Sequence, residues 1–515
     1  MSQTNGCNGH SKDSVLEFSW KVGLLNCKTK YLTAESFGKL NITGTALKKK
    51  QVWTLEHDRN SDDKANEGDI YLRSPQTEDT YVSSDKYGNV KLTEKGDDCK
   101  FRVEYGGDKY SGLWAFRNVN YGTLLGTAPK DEVTCFQKGK PAEMEYWTVQ
   151  LSIHPQVNIR NINRKRYAHL CNDELQCTEV IPWGAEALII LEFHKGKYAL
   201  KTSDDRYLNC DGTLSTDCTD DSAETKFTLE IRSGKDAGLA FKDCEQRYLT
   251  SIGSTATMKA RNMTVTKDEL FSIEDSHPQV LFISEAGKMA SIKQGVDISA
   301  NQTEESETET FQTEYLPELN KWAIRTCKAT YWAVVNPGSG IQANSKEIKD
   351  TSLFDIEWQG DGTVGIKAHN GKYVSHKSTG AMAATADALE EKERYKVKIT
   401  NRPQLILRCQ HGFVGPKSST SSELVCNKAS ATILFLEGSN DGTYAMKDSK
   451  GKYWSISEDS HISPDGDTPT PFTIEFLKQT IVTIKGPNGR YLKGEQNGNF
   501  RVVAEEVGPD TYWEF

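Results

Sequence analysis

His154-Pro155-Gln156-Val157 returns in the chain as His277-Pro278-Gln279-Val280, and again as Arg402-Pro403-Gln404-Leu405. The steps are 123 and 125 residues, so the 515-residue chain reads as four long repeats. Each long repeat contains three shorter ones. Their mark is a turn, then an aromatic or large apolar residue followed by a second apolar or small one. The pairs are Tyr31-Leu32, Tyr81-Val82, Leu124-Leu125, Tyr167-Ala168, Tyr207-Leu208, Tyr248-Leu249, Met289-Ala290, Tyr331-Trp332, Tyr373-Val374, Phe413-Val414, Tyr453-Trp454 and Tyr491-Leu492. They recur roughly every 42 residues, a period at home in repeat architectures.

About 20 residues beyond these pairs comes an aromatic or branched residue, any residue, and usually another apolar one, an alternation that marks a half-buried strand. Examples are Trp53-Thr54-Leu55, Trp147-Thr148-Val149, Phe227-Thr228-Leu229, Phe271-Ser272-Ile273, Phe354-Asp355-Ile356 and Phe472-Thr473-Ile474. Tyr198-Ala199-Leu200 and Trp322-Ala323-Ile324 alternate in the same way. The turns His369-Asn370-Gly371-Lys372 and Pro487-Asn488-Gly489-Arg490 supply residues that tolerate positive φ. Only Ala383 to Lys392 reads as helical.

A 42-residue period also suits propeller blades. Equivalent blades give no reason for grouping in threes, whereas a β-trefoil closes three four-stranded units into one barrel and so removes exposed sheet edges. The expected fold is all-β: four tandem β-trefoils, each of three four-stranded repeats. The expected boundaries are a disordered tail over 1–18 and trefoils over 19–151, 152–276, 277–400 and 401–515.

Composition narrows the function. A hydrophobic share of 36% and a charged share of 26% suit a folded, soluble chain. Met1 to Phe18 lacks an apolar leader core, and no apolar run is long enough for a membrane span. The 12 cysteines follow no short-spaced framework and read as reduced thiols. The sequons at Asn41, Asn262 and Asn301 are then expected to carry no glycan. A net charge of −9 argues against nucleic acid as a partner and requires local basic clusters to hold any acidic one.

The chain shows no phosphate-cradling loop, paired CxxC site, HExxH motif or nucleophile elbow. No enzyme activity, metal or cofactor is expected. His154 and His277, inside the repeated linker, are read as structural. Sugar-binding trefoils can carry Gln-x-Trp in every repeat; here it occurs once, as Gln51-Val52-Trp53, so Trp53 is read as core.

Lys30-Tyr31-Leu32-Thr33-Ala34-Glu35 with Leu47-Lys48-Lys49-Lys50-Gln51 resembles the opening of fascin. Arg164-Lys165-Arg166-Tyr167-Ala168-His169-Leu170, Asn401-Arg402-Pro403, His411-Gly412-Phe413-Val414-Gly415, Gly451-Lys452-Tyr453-Trp454 and the terminal Trp513-Glu514-Phe515 extend the likeness from about Lys21 to the end. The resemblance implies a cytoplasmic cross-linker of F-actin, a monomer of four trefoils in two lobes. It would pack filaments into tight parallel bundles in filopodia and similar protrusions of the cytoskeleton. A scaffold for cytoskeletal partners, or a ligand-binding trefoil array without bundling, are the alternatives.

The resemblance also assigns candidate actin-binding residues: Lys30, Lys48, Lys49 and Lys50 in the first trefoil, and Arg402, Arg408, His411 and Lys493 in the fourth, where His411 reads equally as a structural turn residue. Arg164, Lys165 and Arg166, in a hairpin of the second, are either a further contact or packing charge. Gln410 stands where relatives carry an acid, which weakens any charge contact there. Ala46 stands where some members carry a phosphorylatable serine two positions before the lysine triplet, leaving Thr45 or Thr43 as substitutes. A phosphate beside the lysines would oppose an acidic partner. Kinase treatment, mass spectrometry and bundle sedimentation together are expected to show weak or no control at Thr45. Full inhibition by a phosphate there would overturn that expectation.

Overall fold

In every repeat the recurrent dipeptide opens, to within one residue, the second of four strands. The structure is a computed structural model that describes residues 19–57, 69–77, 79–219, 221–232, 238–335, 338–418 and 421–515. The expected tail over 1–18 lies outside the described residues.

Six strands of the first repeat set pair in a ring: Ser19–Leu25, Trp53–His57, Asp69–Arg73, Phe101–Tyr105, Leu113–Asn118 and Trp147–Leu151. Trp20 lies opposite Leu55, Leu55 opposite Leu72, Ile70 opposite Phe101, Phe101 opposite Asn118, and Trp114 opposite Trp147. Val22 opposite Leu151 closes the ring. The other six strands make three hairpins: Tyr31–Ala34 with Leu40–Gly44, Tyr81–Ser84 with Val90–Thr93, and Leu124–Ala128 with Glu132–Gln137. This is a β-trefoil. Two further twelve-stranded sheets close by pairing Ile159 with Ile273 and Phe282 with Val397.

In the fourth trefoil the first strand is broken into Gln404–Leu405 and Arg408–Cys409, and the sheet divides into parts of five and eight strands. The break has a local cause. Ile406 donates its N–H to Gln156 Oε1 at 2.8 Å, and its carbonyl lies 3.1 Å from His154 Nε2. Both backbone groups are thereby withdrawn from the ladder.

In most repeats the dipeptide marks a bulge. The register shifts between Tyr31 and Leu32, Tyr248 and Leu249, Tyr373 and Val374, Tyr453 and Trp454, and Tyr491 and Leu492. A bulge leaves a backbone group without its ladder partner. The aromatic some 20 residues on answers this where it is tryptophan. Trp53, Trp147 and Trp513 donate Nε1–H to the carbonyls of Leu32, Leu125 and Leu492 at 2.9, 3.0 and 3.1 Å. Trp53 is wholly buried, as its reading as core required.

The tyrosine of the dipeptide serves a second purpose. The residue paired with it across the hairpin is often a cation that covers its ring, and its hydroxyl reaches a glutamate on a neighbouring strand. Arg160, Tyr167 and Glu274 form one such set, with the guanidinium 5.6 Å from the ring centroid and Oη donating to Oε2 at 2.6 Å. Arg325, Tyr331 and Glu314 repeat it, as do Lys367, Tyr373 and Glu357. Each ring–cation contact contributes about 0.5–1 kcal/mol at such partly exposed positions.

The turn chemistry also repeats. Asn370 and Asn488 donate to the carbonyls of Ala384 and Val502 and accept from the backbone two residues on, while Gly371 and Gly489 both take φ of 76°. No α-helix occurs among the described residues. The expected helix over Ala383 to Lys392 is instead the strand Met382–Ala386 and a single 3-10 turn, Glu391–Glu393. Pairing with Tyr373–His376 outweighs the helical propensity of the alanines.

The chain divides into two compact units: residues up to Ile153 with Lys195–Lys197 and Thr228–Phe241, and the remainder. The division does not follow the trefoil edges. Within the first unit Trp114 Nε1 donates to Leu229 O at 3.2 Å and Tyr105 Oη to Ile231 O at 2.7 Å. Within the second unit, the repeated linker glutamines clamp backbone elsewhere. Gln156 donates to Gln404 O and accepts from Ile406 N, while Gln279 donates to Pro182 O and accepts from Gly184 N, each bond at 2.8 Å.

Burial depresses the basicity of three histidines: His57 to about 4, His154 well below the ordinary value, and His277 downward. Above the unfolded value near 6.5 both states are neutral. As pH falls below it the unfolded chain takes up protons that the folded chain refuses. Each such histidine then removes up to about 1.4 kcal/mol of stability per pH unit. Tm is expected to fall steadily between pH 6.5 and 5. His154→Gln, which keeps a donor near Ile406 O, is expected to make the fall shallower, and an unaltered slope would count against this assignment.

Candidate functional site

The lysine triplet is displayed by a 3-10 turn, Lys49–Gln51, which leads into the closing strand Trp53–His57. Gln51 fixes the turn: Nε2 donates to Thr33 Oγ1 at 3.1 Å, and Oε1 accepts from Lys48 N at 3.2 Å. With Gln51 turned inward, Lys48, Lys49 and Lys50 all face solvent. Lys50 pairs with Glu35 at 2.6 Å and lowers the basicity of that carboxylate, whereas Lys48 and Lys49 have no ion-pair partner among the described residues.

Lys30 precedes the strand Tyr31–Ala34, and Glu35 follows it, so the Lys30 backbone and the Lys50 pair are about 16 Å apart along that strand. Lys30 Nζ is held by Asp131 at 2.7 Å, a hydrogen bond that keeps the Asp131 carboxyl below its usual range. Thr45 is exposed just before the triplet.

Phe37 had no mark in the sequence beyond a glycine after it. It sits two residues past Glu35 with φ of 63° and a relative exposure of 106%. A left-handed backbone costs a bulky residue about 1–2 kcal/mol, and a solvated ring returns nothing for it. An aromatic side chain therefore stands in water two residues from Glu35, the partner of Lys50.

In the second trefoil the hairpin between Gln156–Asn161 and Arg166–Cys171 turns at Lys165, which has φ of 55° and is exposed. Arg164 Nη2 donates to Gly253 O at 2.8 Å and Arg166 Nη1 to Lys165 O at 3.3 Å. Of these three only Lys165 projects freely from the turn.

In the fourth trefoil Arg408 donates Nε–H to Glu514 Oε2 at 2.7 Å and covers Phe413 at 5.7 Å. Lys493 lies 3.8 Å from Glu495 and 3.9 Å from Asp510, and Gln410 Nε2 donates to that same Asp510 at 2.9 Å. His411 follows Gln410 at the turn, and its N–H donates to Cys409 Sγ at 3.4 Å. The fold thus gathers Gln410, His411 and Lys493, with Glu495 and Asp510 offsetting the charge of Lys493.

Arg402 does not belong to this surface. It is 1% exposed; Nη2 donates to Ser276 Oγ at 2.6 Å and Ser276 O at 3.2 Å, and the guanidinium lies 4.9 Å from the Phe515 centroid. Burial lowers its pKa only to about 10, so it stays charged. A guanidinium enclosed in this way cannot meet an external partner, and its expected place among the contact residues is corrected to a structural one. Among the described residues no three His, Cys, Asp or Glu side chains gather as metal ligands.

The profile of the fascin domain matches residues 27–149, 157–273, 285–397, 337–432 and 410–515. The chain belongs to the fascin family. It is 37% identical over 502 residues to fascin-2 of Bos taurus, covering 96% of this chain and 98% of that one. Fascin of Strongylocentrotus purpuratus is 35% identical over 523 residues, covering 97% and 100%. Fascin-3 of Mus musculus is 24% identical over the full length of both chains. Every candidate surface of this fascin-family chain therefore lies inside a matched segment.

Arg402→Ala is expected to lower stability by about 3 kcal/mol, through the cavity and the orphaned Ser276 groups. Thermal unfolding measures the loss. Below the transition, filament co-sedimentation should be unaltered. A variant with unchanged unfolding and lost sedimentation would return Arg402 to the contact surface.

Proposed function

We propose that the chain binds actin filaments and cross-links them into tight parallel bundles, working as a monomer in the cytoplasm of actin-rich protrusions. Family membership along the whole chain supports this reading, and the solvent-facing turn Lys48 to Lys50 is the observation that carries it. A bundler must hold two filaments, so one chain needs more than one contact surface. The first is the trefoil-one turn with Lys30, Lys48, Lys49 and Lys50. Arg408, His411 and Lys493 form a second on the fourth trefoil, and Lys165, with Arg164 and Arg166 behind it, supplies another on the second trefoil.

Joining weak contacts on one chain raises their effective concentration in a forming bundle. The contribution of exposed lysines to an acidic filament is screened by salt. Phe37, solvent-facing two residues past Glu35, adds an apolar contact that charge alone cannot supply. Among the described residues no helix is long and apolar enough to cross a membrane.

Low-speed sedimentation with F-actin reads bundling, and high-speed sedimentation reads binding. Reversing Lys48, Lys49 and Lys50 to glutamate is expected to raise the apparent Kd at least about tenfold, or ~1.4 kcal/mol, with an unchanged circular dichroism spectrum. Normal bundling by that variant would refute the assignment of this surface. Phe37→Gly separates contact from fold: relief of the left-handed strain is expected to hold or raise Tm while filament binding weakens. Equal binding would remove Phe37 from the interface.

A further inference from the structure

Two thiols meet beneath the His411 turn. Cys409 ends the strand Arg408–Cys409, and Cys426 lies in the middle of Leu424–Lys428. Cys409 Sγ is 3.4 Å from the carbonyl oxygen of Cys426. Both sulfurs face Gly494, where an added Cβ would stand 3.0 Å from Cys426 Sγ and 3.4 Å from Cys409 Sγ. The missing side chain at 494 leaves the niche that the two sulfurs share. Cys426 is wholly buried, with Sγ against the carbonyls of Asn499 at 3.3 Å and Glu495 at 3.5 Å. Cys409 is only partly buried, the more exposed of the two residues.

We propose that Cys409 and Cys426 form a peroxide-sensitive dithiol whose closure to a disulfide weakens the contact surface of the fourth trefoil. The chemistry balances with hydrogen peroxide as oxidant. Cys409 sulfur, as thiolate, attacks one peroxide oxygen; the O–O bond breaks and the departing hydroxide takes up the thiol proton as water. Cys409 is then a sulfenic acid. Cys426 sulfur attacks the Cys409 sulfur, the S–S bond forms, the S–O bond breaks, and the hydroxide leaves with the Cys426 proton as a second water. Two thiols are oxidised and one peroxide is reduced. A thiol reductant reverses the step by exchange.

The environment sorts the roles. The neighbouring Cys426 thiol, and the His411 N–H that donates to Cys409 Sγ at 3.4 Å, make the Cys409 thiol the more acidic of the two. The neighbouring Cys409 thiol, with burial, pushes Cys426 upward, so it serves as the resolving partner. The consequence for the surface is mechanical. A disulfide requires sulfurs about 2.05 Å apart, closer than two unbonded sulfurs approach. Closure draws the end of Arg408–Cys409 toward Leu424–Lys428, and His411 N–H loses its present acceptor. Gln410 and His411 follow Cys409 directly, and Gln410 shares Asp510 with Lys493. Formation of the bond is independent of the actin reading; its effect on bundling rests on that reading.

The full-length protein is treated with hydrogen peroxide, alkylated, and mapped as non-reduced peptides, in parallel with actin sedimentation before and after oxidation. The expected result is a Cys409–Cys426 cross-linked peptide pair lighter by two hydrogens, absent in Cys409→Ser. Low-speed pelleting is lost on oxidation and restored by dithiothreitol. Binding of one phenylarsine oxide per chain, abolished in Cys409→Ser, reports the paired thiols without any need for oxidation. The proposal is overturned if both thiols remain alkylatable after peroxide while exposed Cys27 and Cys244 react. It is also overturned if the cross-link forms and bundling by the oxidised protein equals that of the reduced protein. Reduced protein that fails to bundle counts against the actin reading instead, and the peptide map alone then decides the dithiol.

Discussion

Closure of each barrel, by pairing its first strand with its last, is the constraint from which the rest follows. A unit of about 42 residues is too small to enclose a core, and a four-stranded piece leaves two open edges. Val22 opposite Leu151, Ile159 opposite Ile273 and Phe282 opposite Val397 remove those edges and bring three such units around one interior. Trp53 and Trp147, both at zero exposure, fill the interior of the first barrel. Because closure needs three units, the chain lengthens in steps of about 123 residues, and the linker between barrels recurs with them.

Closure carries a local demand. The hairpins leave the barrel through bulges, and each bulge releases backbone groups that must find partners inside the protein. The indole N–H of Trp53, Trp147 or Trp513 meets the carbonyl of Leu32, Leu125 or Leu492. The linkers answer a similar demand with amides. Gln156 and Gln279 each offer one donor and one acceptor, the complement of a strand edge, and each clamps backbone in the second compact unit. The clamp on Ile406 is strong enough to divide a strand that is continuous in the other trefoils.

This scaffold sets which cations are available. The same residue type behaves differently according to the neighbours the fold supplies. Arg402 is enclosed against Ser276 and Phe515, and Arg408 is tied to Glu514. Lys48 and Lys49 have no ion-pair partner among the described residues, and Gln51, turned inward to Thr33, takes the buried position of their turn. Phe37 is the inverse case, an apolar side chain that the fold leaves in water at a cost to the backbone. Cationic density in the sequence is thus a poor measure of cationic surface, since Coulomb partners come from distant strands.

The repeat spacing, the alternation of apolar residues and the Asn-Gly turns were enough to determine an all-β chain of four trefoils, since each is a consequence of local backbone geometry and strand period. Trp53 as core and the exposure of Lys48 to Lys50 were legible for the same reason. Ala383 to Lys392 was misread because cross-strand pairing, which acts between distant residues, overrode propensity. Tertiary structure alone decided that Arg402 is internal, that Asp510 joins Gln410 to Lys493, that Phe37 faces solvent, and that Cys409 meets Cys426. Each of these depends on which side chains far apart in the chain come to share one low-dielectric or solvated space, and linear order does not encode that proximity.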